Sequence, residues 1–226
     1  MIEIENLSKS YGQKRVLKNV NLSLASGKVY GIVGENGAGK TTLFKCIAGL
    51  ETCTGTITSV YPILKNHLGF LPTNPFFLSK ITGSEYLQLL CNARNVKMTK
   101  FQEKNIFELP LDQYAETYST GMKKKLALTG ILLQNNDFFI LDEPFNGVDI
   151  QSNMIITAII HELVALQKTI VISSHIFSTL NDTCDEIHLL REGVFVKRVE
   201  KADFQELDAE MKSFALGDRI ERLGLR

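Results

Sequence analysis

Residues 34–41 read Gly-Glu-Asn-Gly-Ala-Gly-Lys-Thr and satisfy the pattern GxxxxGK[ST]. The stretch follows KVYGIVG, a short apolar run closed by glycine, and precedes TTLFKCIAGL, which has helical spacing. Strand, glycine-rich loop and helix, in that order, is the context in which the pattern cradles phosphate. Glycine lets the loop backbone turn its N–H groups inward, and the helix N-terminus adds favourable partial charge. Gly34, Glu35, Asn36, Gly37, Ala38 and Gly39 would form this cradle, followed by Lys40, Thr41 and Thr42 at the helix start. Lys40 would reach the β and γ phosphates, and the Thr41 hydroxyl would ligate Mg²⁺. The pattern predicts a nucleotide ligand and an α/β fold.

The rest of the composition narrows the reading. With 226 residues, one sizeable α/β domain is expected, since two usually need more chain. Lys plus Arg and Asp plus Glu are both 25, which argues against a general nucleic-acid binder, whose phosphate contacts require excess positive charge. The amphipathic stretch IITAIIHELVAL from Ile155 is broken by His161 and Glu162 and is shorter than the roughly 18 to 20 residues of a membrane span. The start, MIEIENLSKSYG, lacks the basic and apolar regions of a signal peptide, so a cytoplasmic location is expected. Cys46, Cys53, Cys91 and Cys184 form no CxxC pair and read as small buried hydrophobes.

Organisation follows from periodicity. Ile2 and Ile4 alternate with Glu3 and Glu5, and Val16, Val20, Leu22 and Leu24 form a second apolar series, both reading as half-buried strands. Thr82 to about Val96 and Met122 to Leu133 suit helices. DFFILD (137–142) and KTIVISS (168–174) are compact apolar runs separated by a helical stretch over about 151–166. Strand, helix, strand implies a parallel sheet buried on both faces. IHLLREGVFVKRV reads as a hairpin turning at Glu192 and Gly193, and a charged tail of unread role follows. Hydrolysis needs a metal-side carboxylate and a group that orients water, and FFILDEP offers both at a strand end. Asp142 would hold Mg²⁺, and Glu143 would point at the γ-phosphate and polarise the attacking water.

In motif order and spacing, residues from Tyr11 to about Val196 resemble the nucleotide-binding subunits of ATP-binding cassette (ABC) transporters. YSTGM (118–122) is similar to that family's signature, usually LSGGQ, with Ser119 and Gly121 kept and Thr120 and Met122 departing. Without the resemblance, Ser119 or Thr120 is simply a helix N-cap, and both roles can hold together. FNGVD (145–149) is similar to the family's dimer-contact loop, with Asp149 in the matching place. His175 matches the switch histidine that contacts the γ-phosphate, and Tyr11 resembles the aromatic that stacks on adenine. The family usually has Gln where GFLPTNP places Thr73, a hydroxyl too short to touch the metal.

The resemblance implies a P-loop NTPase core with a mainly parallel sheet, an antiparallel β subdomain and a small helical subdomain inserted at about 74–134, all within one domain of residues 1–226. It implies ATP and Mg²⁺ as cofactors, ATP hydrolysis, a homodimer of these domains closed by ATP, and a separate transmembrane permease subunit. That subunit would hold the chain on the inner face of the membrane. Two alternatives stay open: a cytosolic ABC ATPase without transport, and a regulatory nucleotide-binding subunit with little turnover, which Thr73 makes credible although Glu143 and His175 argue for hydrolysis.

Overall fold

The computed structural model describes residues 1–216, with side chains described through Met211; residues 217–226, the end of the charged tail, lie outside the described residues. In chain order the elements are β1 (Ile2–Tyr11), β2 (Lys14–Leu24), β3 (Val29–Val33), α1 (Lys40–Ile47), β4 (Thr54–Ser59) and β5 (Leu68–Leu71). Next come α2 (Gly83–Asn92), α3 (Thr120–Leu132), β6 (Phe138–Asp142), α4 (Ile150–Ala165), β7 (Thr169–Ser173) and α5 (Phe177–Thr183). The antiparallel pair β8 (Glu186–Arg191) and β9 (Val194–Glu200) precedes α6 (Phe204–Leu216).

Two sheets organise these elements. β1 lies between β2 and β4, antiparallel to both. The second sheet has the order β5-β6-β7-β3-β8-β9, parallel from β5 to β8 with β9 antiparallel at the edge. Strands β3, β6 and β7 are buried at every position, because successive side chains serve different layers. Phe138 and Ile140 pack with α1 and the antiparallel sheet, whereas Phe139 and Leu141 pack with residues of α2, α3 and α4. A strand sandwiched in this way has no solvent face, so it reads as a continuous apolar run and not as an alternation.

Helix boundaries follow capping chemistry. Thr82 and Glu85 form a reciprocal capping box that starts α2. The helix stops at Asn92, short of the expected Val96, because Asn95 turns left-handed at φ 55° and the Val96 N–H closes back on the Cys91 carbonyl at 2.9 Å. Among the cysteines, Cys46, Cys91 and Cys184 are buried as expected, but Cys53 is only half-buried. It interacts with Cys46, whose thiol is pushed up to about 12 by burial first and by Cys53 second.

The hairpin predicted at Glu192 and Gly193 does more than reverse the chain. Both residues have positive φ, 48° and 82°, as a two-residue hairpin turn requires. The Gly193 carbonyl accepts from the Lys18 N–H at 2.9 Å, and its own N–H donates to the Ala38 carbonyl at 3.1 Å. A Cβ at this position would stand 2.1 Å from the Val16 carbonyl oxygen. The turn is therefore wedged between the antiparallel sheet and the glycine-rich loop at 34–39, with space for glycine alone.

Candidate active site

Helices α2, α3 and α4 each begin under a side-chain cap, from Thr82, Ser119 and Asp149. α1 begins differently. Its N-cap is Gly39, held at φ 113°, with no side-chain cap and no acidic residue in the first turn. The amides of that first turn are the donors an anion needs, and nothing negative competes for them. Lys40 is 8% exposed and donates from Nζ to the carbonyls of Gly34 (2.6 Å) and Glu35 (3.2 Å). Burial lowers its pKa, and the carboxylates of Glu143 and Asp142 oppose that shift.

Asp142 closes β6 and is 1% exposed. Its Oδ2 accepts from the Thr41 hydroxyl at 2.7 Å and from the Thr73 hydroxyl at 2.7 Å, while its Oδ1 accepts from Ser173 Oγ at 2.6 Å. Thr41, in the first turn of α1, and Thr73, just beyond β5, thus converge on one carboxylate oxygen. The Thr41 hydroxyl beside the Asp142 carboxylate offers the hard oxygen donors a divalent cation takes, so these two residues fit Mg²⁺. Sequence reading treats Thr73 only as a missing glutamine and misses its bond to Asp142, for which no local signal exists.

Glu143 follows at the strand end, 6% exposed and in the left-handed region at φ 56°. A left-handed backbone at a residue with a Cβ is strained, and such strain collects at functional sites. The Glu143 N–H donates to Ser173 Oγ at 3.0 Å. Its Oε1 lies 3.0 Å from His175 Nε2, and its Oε2 accepts from the His175 N–H at 3.3 Å. β6 and β7, paired in parallel through Asp142 and Ser173, therefore deliver the carboxylate and the histidine side by side. A recess of about 410 Å³ is lined by Asn36, Gly37, Gly39, Lys40, Thr41, Thr42, Thr73, Asp142, Glu143 and His175, together with Lys14 and Val16 from β2.

Other candidates stand apart from that recess. Gly34, Glu35 and Ala38 line a neighbouring one of about 620 Å³, on the side of the loop facing β8 and α6. Tyr11 ends β1, 45% exposed, with Lys9 Nζ over its ring at 4.9 Å. Burial and Glu51 push its hydroxyl pKa up, while Thr42 opposes them. Ser119 is the N-cap of α3, its Oγ accepting from the Met122 N–H at 3.2 Å. A Cβ on Gly121 would meet the Gly147 carbonyl at 2.6 Å, so this turn lies against the loop that follows Glu143. Asp149 caps α4: it accepts from the Ser152 N–H and hydroxyl, both at 2.8 Å, and pairs with Lys125 at 3.1 Å. These contacts, the Ser152 amide first, hold its carboxyl well below the usual range.

Residues 17–146 match the family model described as ABC transporter. The chain belongs to that family. The bacitracin transport ATP-binding protein of Enterococcus faecalis is 32% identical over 234 residues, covering 96% of this chain and 75% of that protein. The lantibiotic transport ATP-binding protein of Streptococcus pyogenes is 31% identical over 222 residues, covering 92% and 94%. A solved ATP-binding subunit of an ABC transporter superposes with a TM-score of 0.83 at 25% identity, covering 92% and 93%. A dimeric ATP-binding cassette bound to ADP and Pi superposes at 0.80 with 20% identity, covering 89% and 99%, a likeness of fold. The ABC cassette described above is an ATP-binding, ATP-hydrolysing subunit. No helix among its described residues is long and apolar enough to cross a membrane.

Proposed function

We propose that this cassette binds MgATP in the recess between Lys40 and Asp142, hydrolyses it with Glu143 as general base, and works as a pair of copies on a separate membrane permease. The observation that carries the reading is the Thr41 to Asp142 hydrogen bond of 2.7 Å, which joins the phosphate loop to the carboxylate strand beside the Glu143 and His175 pair. Lys40 and the first amides of α1 would hold the phosphates. Mg²⁺, held by Thr41 and Asp142, would neutralise charge on the phosphate oxygens.

Glu143 would take a proton from water as the water oxygen bonds to the γ-phosphorus. The bond from that phosphorus to the bridging oxygen breaks, and ADP leaves with the electron pair. His175 would contact the γ-phosphate and, through its N–H on Oε2, hold the base in line. Ser119 and Gly121 do not line the recess of their own chain, and the family resemblance has them close the site of a second copy, with Asp149 at the contact.

Residues 1–226 act on this reading as one cassette, with the helical insertion at about 74–134 facing the permease. That face exposes Phe76 and Leu78 ahead of α2, and Leu89 on it, apolar groups that a protein partner would cover. The names of the relatives, transport ATP-binding proteins, support a transport role, and a peripheral place at the membrane follows from the partner. Metal removal tests the reading. ATP hydrolysis by the purified chain should vanish in EDTA and return with MgCl₂; hydrolysis unaffected by chelation would overturn it.

Thr73 supplies a finer test. Its hydroxyl holds Asp142 and does not extend as a glutamine amide would, which reaches roughly 2 to 3 Å further at bond lengths of about 1.5 Å. Thr73→Gln should raise basal ATPase activity, by about 10-fold if one orienting group is restored, and lower the Mg²⁺ concentration needed for half-maximal rate. Asn74→Ala should change neither. An unchanged rate in Thr73→Gln combined with loss of activity in Asn74→Ala would transfer the role to Asn74.

A further inference from the structure

Three consecutive lysines, Lys123, Lys124 and Lys125, lie in the first two turns of α3. Helical geometry turns the middle one inward, and Lys124 is 1% exposed. An ammonium so deeply buried is unfavourable unless donors and charge are both met. Its Nζ donates to the main-chain carbonyl of Glu143 at 2.6 Å and to that of Asn146 at 2.8 Å. Burial lowers its pKa, while the charges on Glu143 and Asp142 pull the other way. Both carbonyls belong to the turn that starts at the proposed base, and the Asn146 N–H closes that turn on the Glu143 carbonyl at 3.2 Å.

Glu143 sits in a backbone state that its surroundings must impose, φ 56°. Ser173 fixes the N–H side of the residue through its Oγ and carbonyl. Lys124 fixes the carbonyl side. The direction in which a side chain leaves the main chain is set by the two peptide planes flanking its Cα, so both anchors aim the carboxylate. We infer that Lys124 is a positioning residue for Glu143, pinning the turn 143–146 to α3 so that the carboxylate faces His175 and the phosphate loop. The inference rests on the reading of Glu143 as general base.

A second consequence follows from the same contacts. Ser119 caps the helix that carries Lys124, and Gly121 lies against the Gly147 carbonyl. Within one chain, the turn that carries Ser119 and the turn that starts at Glu143 are therefore joined through α3 and one close backbone contact.

Two variants test the inference. Lys124→Met nearly keeps the volume on an arm one atom shorter and has no donor; Lys124→Gln has an arm of the same atom count as Met with two amide N–H groups at its end. Turnover should fall about 10- to 100-fold in Lys124→Met, the range typical when a group orienting a reactive residue is lost, with KM for ATP and binding of a fluorescent ATP analogue unchanged. Lys124→Gln should fall in between. Amide hydrogen exchange over residues 143–146 should quicken in Lys124→Met, a readout independent of activity. Wild-type kcat and exchange in Lys124→Met, while Glu143→Gln is inactive, would overturn the positioning role; full activity in Glu143→Gln would instead remove the reading beneath it. Should Lys124→Met not fold, Lys124→Gln decides: reduced kcat at constant KM supports the role, and a change in KM alone, or none, overturns it.

Discussion

Glu143→Gln should leave ATP binding intact, cut turnover by about 10²- to 10⁴-fold, and trap a dimer holding two nucleotides. The amide matches the carboxylate in shape and can still accept the His175 N–H, which reaches Oε2 at 3.3 Å. What it cannot do is take the proton of the attacking water. Because the residue is 6% exposed and its backbone is held by Ser173 and Lys124, the substitution should not disturb the turn. Light scattering with ATP should report the dimer mass, and a single-turnover assay should report the chemical step. A variant that stays monomeric while hydrolysing ATP at the wild-type rate would take Glu143 out of the mechanism.

Lys40→Ala should act on binding instead. The side chain is buried and fixed by two loop carbonyls, at 2.6 and 3.2 Å, so little conformational freedom is lost when phosphate arrives. A charge-assisted contact of this kind contributes about 1.5–3 kcal/mol, which corresponds to a loss in ATP affinity of about 10- to 100-fold. The same substitution leaves the Gly34 and Glu35 carbonyls without their donor, which loosens the loop as well. Calorimetric titration with a non-hydrolysable ATP analogue measures the effect. Undiminished affinity would count against this loop as the phosphate cradle.

Local features of this molecule were readable from sequence, and distant couplings were not. The phosphate loop, Asp142 and Glu143 each announce themselves within a few residues, because a glycine loop and a strand-end carboxylate are made by their immediate neighbours. β3, β6 and β7 were visible as short apolar runs for the same reason. Thr73 could be read only as a departure: its bond to Asp142 spans β5 and β6, and strand adjacency is not written in either segment. Lys124 was hidden more thoroughly. A run of three lysines ordinarily marks a solvated helix face, and only the packing of α3 against the 143–147 turn distinguishes the middle one from its neighbours. Asp149 matches a contact between copies by resemblance, whereas its capping of α4 is a purely local matter of an aspartate three residues before Ser152.

The place of β3 in the sheet has a consequence for how the protein is made. Val29 pairs with Ile170 and Tyr30 with Glu186, so the strand that leads into the glycine-rich loop is synthesised well before either of the strands it pairs with. The Gly193 wedge against Val16 and Ala38 closes that arrangement later still. During synthesis the segment around Lys40 therefore waits as an unpaired apolar strand and a glycine-rich loop until β7 is made, and its second neighbour comes only with β8. A topology of this kind folds slowly and exposes its strand edges in the interval, which makes the nascent chain the stage at which this cassette is most exposed to aggregation.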